Sequence, residues 1–225
     1  MAQAGLHAYL GLKSKKWIPN KKYFISFLIG SIIPDIDIIF YTFASYYIPV
    51  EKAIIYFHRT FTHSLITIAT IYLLFLVLYE LTKKEYILDA AYGFMAGFIF
   101  HLLIDLFFWF DSIDLFWPLP IPEINIWFFM EVNQKIKYLI MAMEFIFFRF
   151  IAYQLIEKVI IKPLNNGVYI NYLNLWMKSQ TYSLLIFIIT IISMPQYTAT
   201  IFGILYIPSI IALIFFFWKL RGSLS

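Results

Sequence analysis

The sequence predicts an all-α polytopic membrane bundle, and three observations predict it. Hydrophobic residues make up 62% of the 225 and charged residues 13%, against roughly 45–50% and about 25% in soluble domains. Mean hydropathy is +0.80, an excess that a core of this chain length cannot bury, so lipid must cover part of the surface. The apolar residues also gather in about five to six stretches of membrane-crossing length, with Pro, Lys and acidic residues between them.

Taken in order, residues 1–12 are a short, mildly apolar stretch carrying His7. Lys13, Lys15, Lys16, Lys21 and Lys22 follow, with Trp17 and Pro19, and read as an interfacial anchor. The first long apolar segment, 23–49, contains Gly30-Ser-Ile-Ile-Pro-Asp-Ile-Asp37. Pro34 lacks a donor and disfavours helix at Ile33, so this segment should be broken or re-entrant. Residues 50–63 read as a polar loop, 64–81 as a span, and Lys83-Lys84 as a tight turn. The span 86–110 carries Gly93 and Gly97 at GxxxG spacing, which favours close helix contact.

Residues 111–136 mix Asp111, Asp114, Glu123 and Glu131 with Trp109, Trp117 and Trp127 at their margins and centre. Three prolines, Pro118, Pro120 and Pro122, stop any helix there, and the mixture suits a flap at headgroup level. Spans at 137–161, 181–194 and 197–218 complete the chain, the first of them holding Glu144 and Arg149. The site-bearing region is expected over 1–136, with 137–225 adding transmembrane helices to one continuous bundle.

Lys and Arg counted over alternate connections favour six crossings with both ends inside. That puts His7 on the opposite face from His58 and His63. A re-entrant first segment, or an N-terminal helix dipping into the membrane, would relieve the conflict. No cleavable signal is expected, because the lysines come after the N-terminal stretch. The net charge of +4 sits at the ends of apolar segments, so it reads as topology-setting charge, and no nucleic-acid partner is expected. There is no cysteine, which excludes disulfides and thiolate metal sites.

The chemistry concentrates around four histidines, His7, His58, His63 and His101. His58-Arg-Thr-Phe-Thr-His-Ser64 holds two of them in a polar island. Five residues apart is not a helical-face spacing, so His58 should come from the loop and His63 from the mouth of the next helix, with Thr62 as its N-cap. Arg59 offers a planar fork for phosphate or carboxylate, and headgroup snorkelling is the competing use. His101 and Asp105, at i and i+4, share one helical face; they could bind one metal ion, or the acid could orient the imidazole. Asp35 is the ligand choice in the broken segment, and Asp37 could ligate or bridge. Buried ionisable residues in apolar spans default to function, while helix-linking hydrogen bonds are the plainer use.

These stretches, His7, Gly30–Asp37, His58–Ser64 and Gly97–Asp105, with Phe116-Trp-Pro118 beyond, resemble the family of bacterial and archaeal membrane-bound metal-dependent hydrolases, described from one member as LexA-binding inner-membrane hydrolases. The resemblance covers about residues 1–120. More distantly, the order of His, Asp, His and HxxxD is similar to zinc-dependent phospholipase C. That similarity implies His7, Asp35, His63, His101 and Asp105 as metal ligands. Family members usually carry a Thr soon after the HxxxD aspartate, where this chain has Leu106-Phe-Phe-Trp109.

The expectation is a hydrolase of the bacterial or archaeal cell membrane, acting on a phosphoester or other lipid-borne substrate through metal-activated water. Nitrogen and oxygen ligands suit Zn²⁺ first and Mn²⁺ second, with one to three ions. Asp37 or His58 would serve as base and Arg59 would steady the anion. The rival expectation is a protein that binds or translocates metal ions or protons. Membrane lipid is the expected partner; oligomeric state is not legible.

Overall fold

The computed structural model describes residues 3–18, 23–162 and 167–224, and among them every regular element is a helix apart from one isolated bridge between Ile113 and Ile124. Among the described residues, six segments are long and apolar enough to cross a bilayer: Phe24–Ala44, Leu65–Thr82, Glu85–Phe108, Gln134–Ile161, Tyr169–Ser193 and Pro195–Lys219. The chain is an all-α membrane bundle. It packs as two units, residues 11–132 and residues 1–10 with 133–225.

In the unit 11–132, the first span is broken where Pro34 predicts. Helix α2 (Phe24–Gly30) gives way to a 3-10 turn, Ile33–Asp37, before α3 (Ile38–Ala44) resumes. A short helix α4 (Val50–Phe57) follows, and a second 3-10 turn, Phe61–His63, leads into α5 (Leu65–Thr82). Lys83, in the left-handed region at φ 54°, closes α5, and α6 (Glu85–Phe108) returns antiparallel to it. Helix α4 corrects the expected loop over 50–63. Charged residues near Pro49 hid a one-sided element that buries Ala53 completely.

Helices α2 and α6 meet through their backbones. A Cβ on Gly93 would collide with the carbonyl oxygen of Tyr23, one on Gly97 with that of Phe27, and one on Gly30 with that of Phe94. The GxxxG pair therefore does what small residues do in membranes, letting two helices approach to backbone contact. The pairs Tyr23/Gly93, Phe27/Gly97 and Ser31/His101 each differ by 70 residues, so α2 and α6 run parallel.

In the other unit, α7 (Gln134–Ile161), α8 (Tyr169–Ser193) and α9 (Thr198–Lys219) pack around Phe145, Phe148, Phe187, Phe202 and Tyr206, all buried. Helix α8 starts twelve residues before the expected 181 (181 − 169 = 12). Asn171, Asn174, Lys178, Ser179 and Gln180 make that half too polar for a hydropathy reading. Tertiary packing overrides the pattern, since Trp176 lies against Phe148 and Phe216, and Gln180 accepts from Ser209 at 3.1 Å.

Helix α1 (Ala4–Lys13) begins inside this unit. Its orphan amides are capped by residues near the middles of α7 and α9: Ala4 N donates to Tyr206 Oη at 2.6 Å, and Gly5 N and Leu6 N donate to Glu144 at 2.7 and 3.2 Å. The N-terminal helix thus starts at the level of the middle of α7 and α9. A buried carboxylate at a helix N-terminus also answers for Glu144. Arg149 does not pair with it and turns to Thr181 Oγ1 instead.

Candidate metal centre

The centre of interest lies wholly in the unit 11–132 and is built by three pieces of chain. The Pro34 break buries both acids of the first span, Asp35 at 1% exposure and Asp37 at 0%. The island 58–64 crosses beside them, and the last turns of α6 bring His101 and Asp105, buried at 0% and 1%. Burying this many ionisable groups is costly unless each finds a partner.

Asp37 is the hub. Its two oxygens lie 3.0 Å from His58 Nδ1, and Oδ2 also accepts from Arg59 N at 3.1 Å and Thr62 Oγ1 at 2.9 Å. His63 Nδ1 stands 3.5 Å from the same oxygen. This carboxylate is filled by donors and sits behind the imidazoles, orienting them. Thr62 is drawn into this network, and Ser64 takes the cap of α5 in its place, accepting from Ile66 N at 3.1 Å. Having its one proton directed to Asp37, Thr62 Oγ1 accepts from His63 Nδ1 at 3.0 Å.

The network assigns the tautomers. A carbonyl oxygen only accepts, so His101 Nδ1, 2.9 Å from Ser31 O, carries a proton. His63 Nδ1 carries one for the reason just given. A neutral ring so protonated leaves its Nε2 an acceptor, and the two Nε2 atoms face each other at 3.1 Å. Asp105 Oδ2 stands 3.4 Å from His63 Nε2 and 3.8 Å from His101 Nε2. Asp35, His63 and His101 each offer a ligand atom within 4.8 Å of the others. Acceptors converging in a buried space repel one another unless a cation lies among them. Zinc–nitrogen bonds of about 2.0–2.1 Å at tetrahedral angles separate two ligating nitrogens by about 3.3 Å, so this donor set fits such an ion. Each imidazole also has the oxygen partner on its far nitrogen that ligating histidines carry.

His58 is the third imidazole. Burial pushes it down to about 4 from the ordinary 6.5, with the Asp37 carboxylate pulling the other way. It is neutral at pH 7, donates from Nδ1 to Asp37, and its buried Nε2 has no hydrogen-bond partner among the described residues. Its ring stands 5.8 Å from that of His63, edge to face.

Arg59 is placed otherwise than a substrate clamp. Its Nη2 lies 2.7 Å from Asp105 Oδ2, its Nη1 3.4 Å from Asp111 O, and its guanidinium 5.5 Å from the Trp109 ring centre. The backbone there takes φ 60°, a left-handed conformation unusual for a side chain of this size. That twist lets one residue donate its N–H to Asp37 and its side chain to Asp105. The apolar run after Asp105 ends in Trp109, buried beneath Arg59 and donating to Asp111 Oδ2 at 2.9 Å. Ser31, Thr62 as an orienting group, and Trp109 escaped the sequence reading. Nothing in a carbonyl or a lone indole marks it beforehand.

His7, the remaining histidine, is fully buried on α1 and belongs to the other unit. Its expected part as a ligand rests on the sequence.

The model of the YdjM inner membrane protein family matches residues 2–219. The chain belongs to that family. The YdjM match runs through α7, α8 and α9, so the last third, which the motifs left without a relative, is as much part of the family as the histidine-bearing region. No curated protein and no solved structure matches the chain.

Proposed function

We propose that this YdjM-family protein is a membrane-embedded metal-dependent hydrolase. The observation that carries the reading is the pair of buried Nε2 atoms of His63 and His101, 3.1 Å apart with Asp105 beside them. His63, His101, Asp35 and Asp105 would hold a divalent ion, Zn²⁺ first by its nitrogen and oxygen donors and Mn²⁺ second, in a set of one to three ions. Such an ion supplies Lewis-acid charge and brings the pKa of water to about 7. His7 enters as a further ligand only on the distant similarity to zinc-dependent phospholipase C.

The chain's own residues do the rest. Asp37 and the Ser31 carbonyl fix which nitrogens of His58, His63 and His101 point inward. His58 Nε2, neutral and desolvated, is the group able to take a proton. Arg59 holds the Asp105 carboxylate in place. The substrate class is a phosphoester borne by a lipid, supported by a centre close to one end of α5 and α6. Clustering at one end favours hydrolysis over a relay, which needs sites distributed through the membrane depth.

The test is metal analysis of purified protein alongside hydrolysis of a lipid phosphoester. The proposal expects at least one tightly held ion per chain and its loss, with activity, in His101→Ala. Stoichiometric metal with flux in vesicles and no hydrolysis would replace it by the transporter reading. Less than one ion per chain, with His101→Ala indistinguishable from wild type, would end both.

A further inference from the structure

We infer that the centre serves the non-cytoplasmic leaflet, so that its substrate is a phosphoester presented on that side; the substrate clause rests on the hydrolase reading, the orientation does not. Three independent features of the unit 11–132 carry this.

The first is direction. Helices α2 and α6 are parallel, and the centre gathers at the C-terminal end of both and the N-terminal end of α5. Helix α6 has 24 residues, about 36 Å at 1.5 Å per residue. His101 is 16 residues beyond Glu85, about 24 Å along it, so the centre lies in the far third of a crossing of about 30 Å.

The second is charge. Among the described residues, the near end of the unit carries Lys13, Lys15, Lys16, Lys83 and Lys84, in the chain before α2 and the turn between α5 and α6. The far end carries Lys52 and Arg59, and Arg59 is buried against Asp105. Lysine and arginine mark the cytoplasmic side. Five against two among the described residues of a single unit orients it without reference to the rest of the chain.

The third is the covering segment. Residues 109–132 close over the far end through backbone-level bonds: Leu65 N to Leu115 O at 2.8 Å, Ser64 Oγ to Trp117 O at 2.7 Å, and Asp114 N to Arg59 O at 3.2 Å. This segment exposes Phe128 (81%), Phe129, Trp117, Leu119 and Ile121. Acids and tryptophans with bare aromatic residues suit headgroup depth. The excursion from Asp37 to His58 stays on that side too. Helices α3 and α4 have seven and eight residues, too few to cross, and His58 returns to bond Asp37.

The absence of cysteine makes the test direct. Single cysteines are placed at exposed positions, Tyr47→Cys and Phe128→Cys at the far end, Lys16→Cys and Lys84→Cys at the near end. Intact spheroplasts of the expression host are treated with a membrane-impermeant maleimide. Labelling of the first two without permeabilisation, and of the last two only after it, is the expected result; the reverse pattern overturns the inference. Right-side-out and inside-out membrane vesicles are then given an added short-chain lipid phosphoester. Hydrolysis in right-side-out vesicles supports the substrate side, and hydrolysis confined to inside-out vesicles overturns it. Expected labelling with no hydrolysis in either preparation upholds the orientation and refutes the hydrolase.

Discussion

His63 and His101 present their Nε2 atoms to each other at 3.1 Å in a space closed to solvent. Their Nδ1 protons are committed elsewhere, so a cation between them answers the geometry without leaving a buried repulsion. On the proposed metal-dependent reading, His63→Ala and His101→Ala should each abolish metal binding. Elemental analysis of detergent-purified protein checks this, with size-exclusion profiles confirming that the bundle persists.

The residues behind the imidazoles should matter nearly as much. Thr62→Val removes the oxygen that fixes the His63 tautomer, and Asp37→Leu removes the carboxylate that orients Thr62 and lies 3.5 Å from His63 Nδ1. Each should weaken metal affinity by about 10–100-fold, the usual effect of losing an orienting partner. Competition with a chelator reads the change, and an affinity within twofold of wild type would contradict the assigned tautomers.

Arg59 and Asp105 form a buried pair at 2.7 Å. Arg59→Gln removes the guanidinium from the buried carboxylate and should cost about 3–5 kcal/mol, as broken buried pairs do. Arg59→Lys should recover little, since one ammonium cannot reach Asp105 and the Asp111 carbonyl while lying on Trp109. Thermal unfolding in detergent separates the three proteins.

Acid should weaken the island through His58. Its imidazole is held down to about 4 in the fold and titrates near 6.5 when unfolded, so between those values the unfolded chain binds the extra proton. Its contribution is present in full above about pH 6.5 and is lost as pH falls toward 4. Melting temperatures taken from about pH 7.5 to about pH 4.5 should fall less steeply in His58→Gln than in wild type.

Glu144 caps the buried start of α1 through Gly5 N and Leu6 N. Glu144→Ala should cost about 0.5–2 kcal/mol, the range for a lost helix cap, and should expose residues near position 5 to proteolysis. Unchanged protection there would remove the carboxylate's capping role.

The sequence announced whatever depended on composition or on a single stereochemical rule. Pro34 fixed the break in the first span, and Gly93 and Gly97 fixed the close helix pair. The His and Asp residues of 35–37, 58–63 and 101–105 stood out because ionisable groups are scarce in oil. What stayed hidden depended on contacts distant in the chain. Asn171 and Lys178 disguised the first half of α8, whose stability comes from Trp176 against Phe148. Thr62 and Ser64 are equally good caps by type; only the position of Asp37, 25 residues back, decides between them. Arg59 looked free to meet an anion because its partner Asp105 lies 46 residues on.

The 70-residue register between α2 and α6 ends at the Ser31 carbonyl, which aims the His101 ring. A peptide oxygen cannot be deleted by changing a side chain, so substitution at position 31 leaves the aim intact. The register itself is what mutation can reach. A saturation map of function should therefore show sensitive positions at Gly93 and Gly97, two and one helical turns below His101, where no group takes part in chemistry and any added carbon would slide the imidazole off its mark.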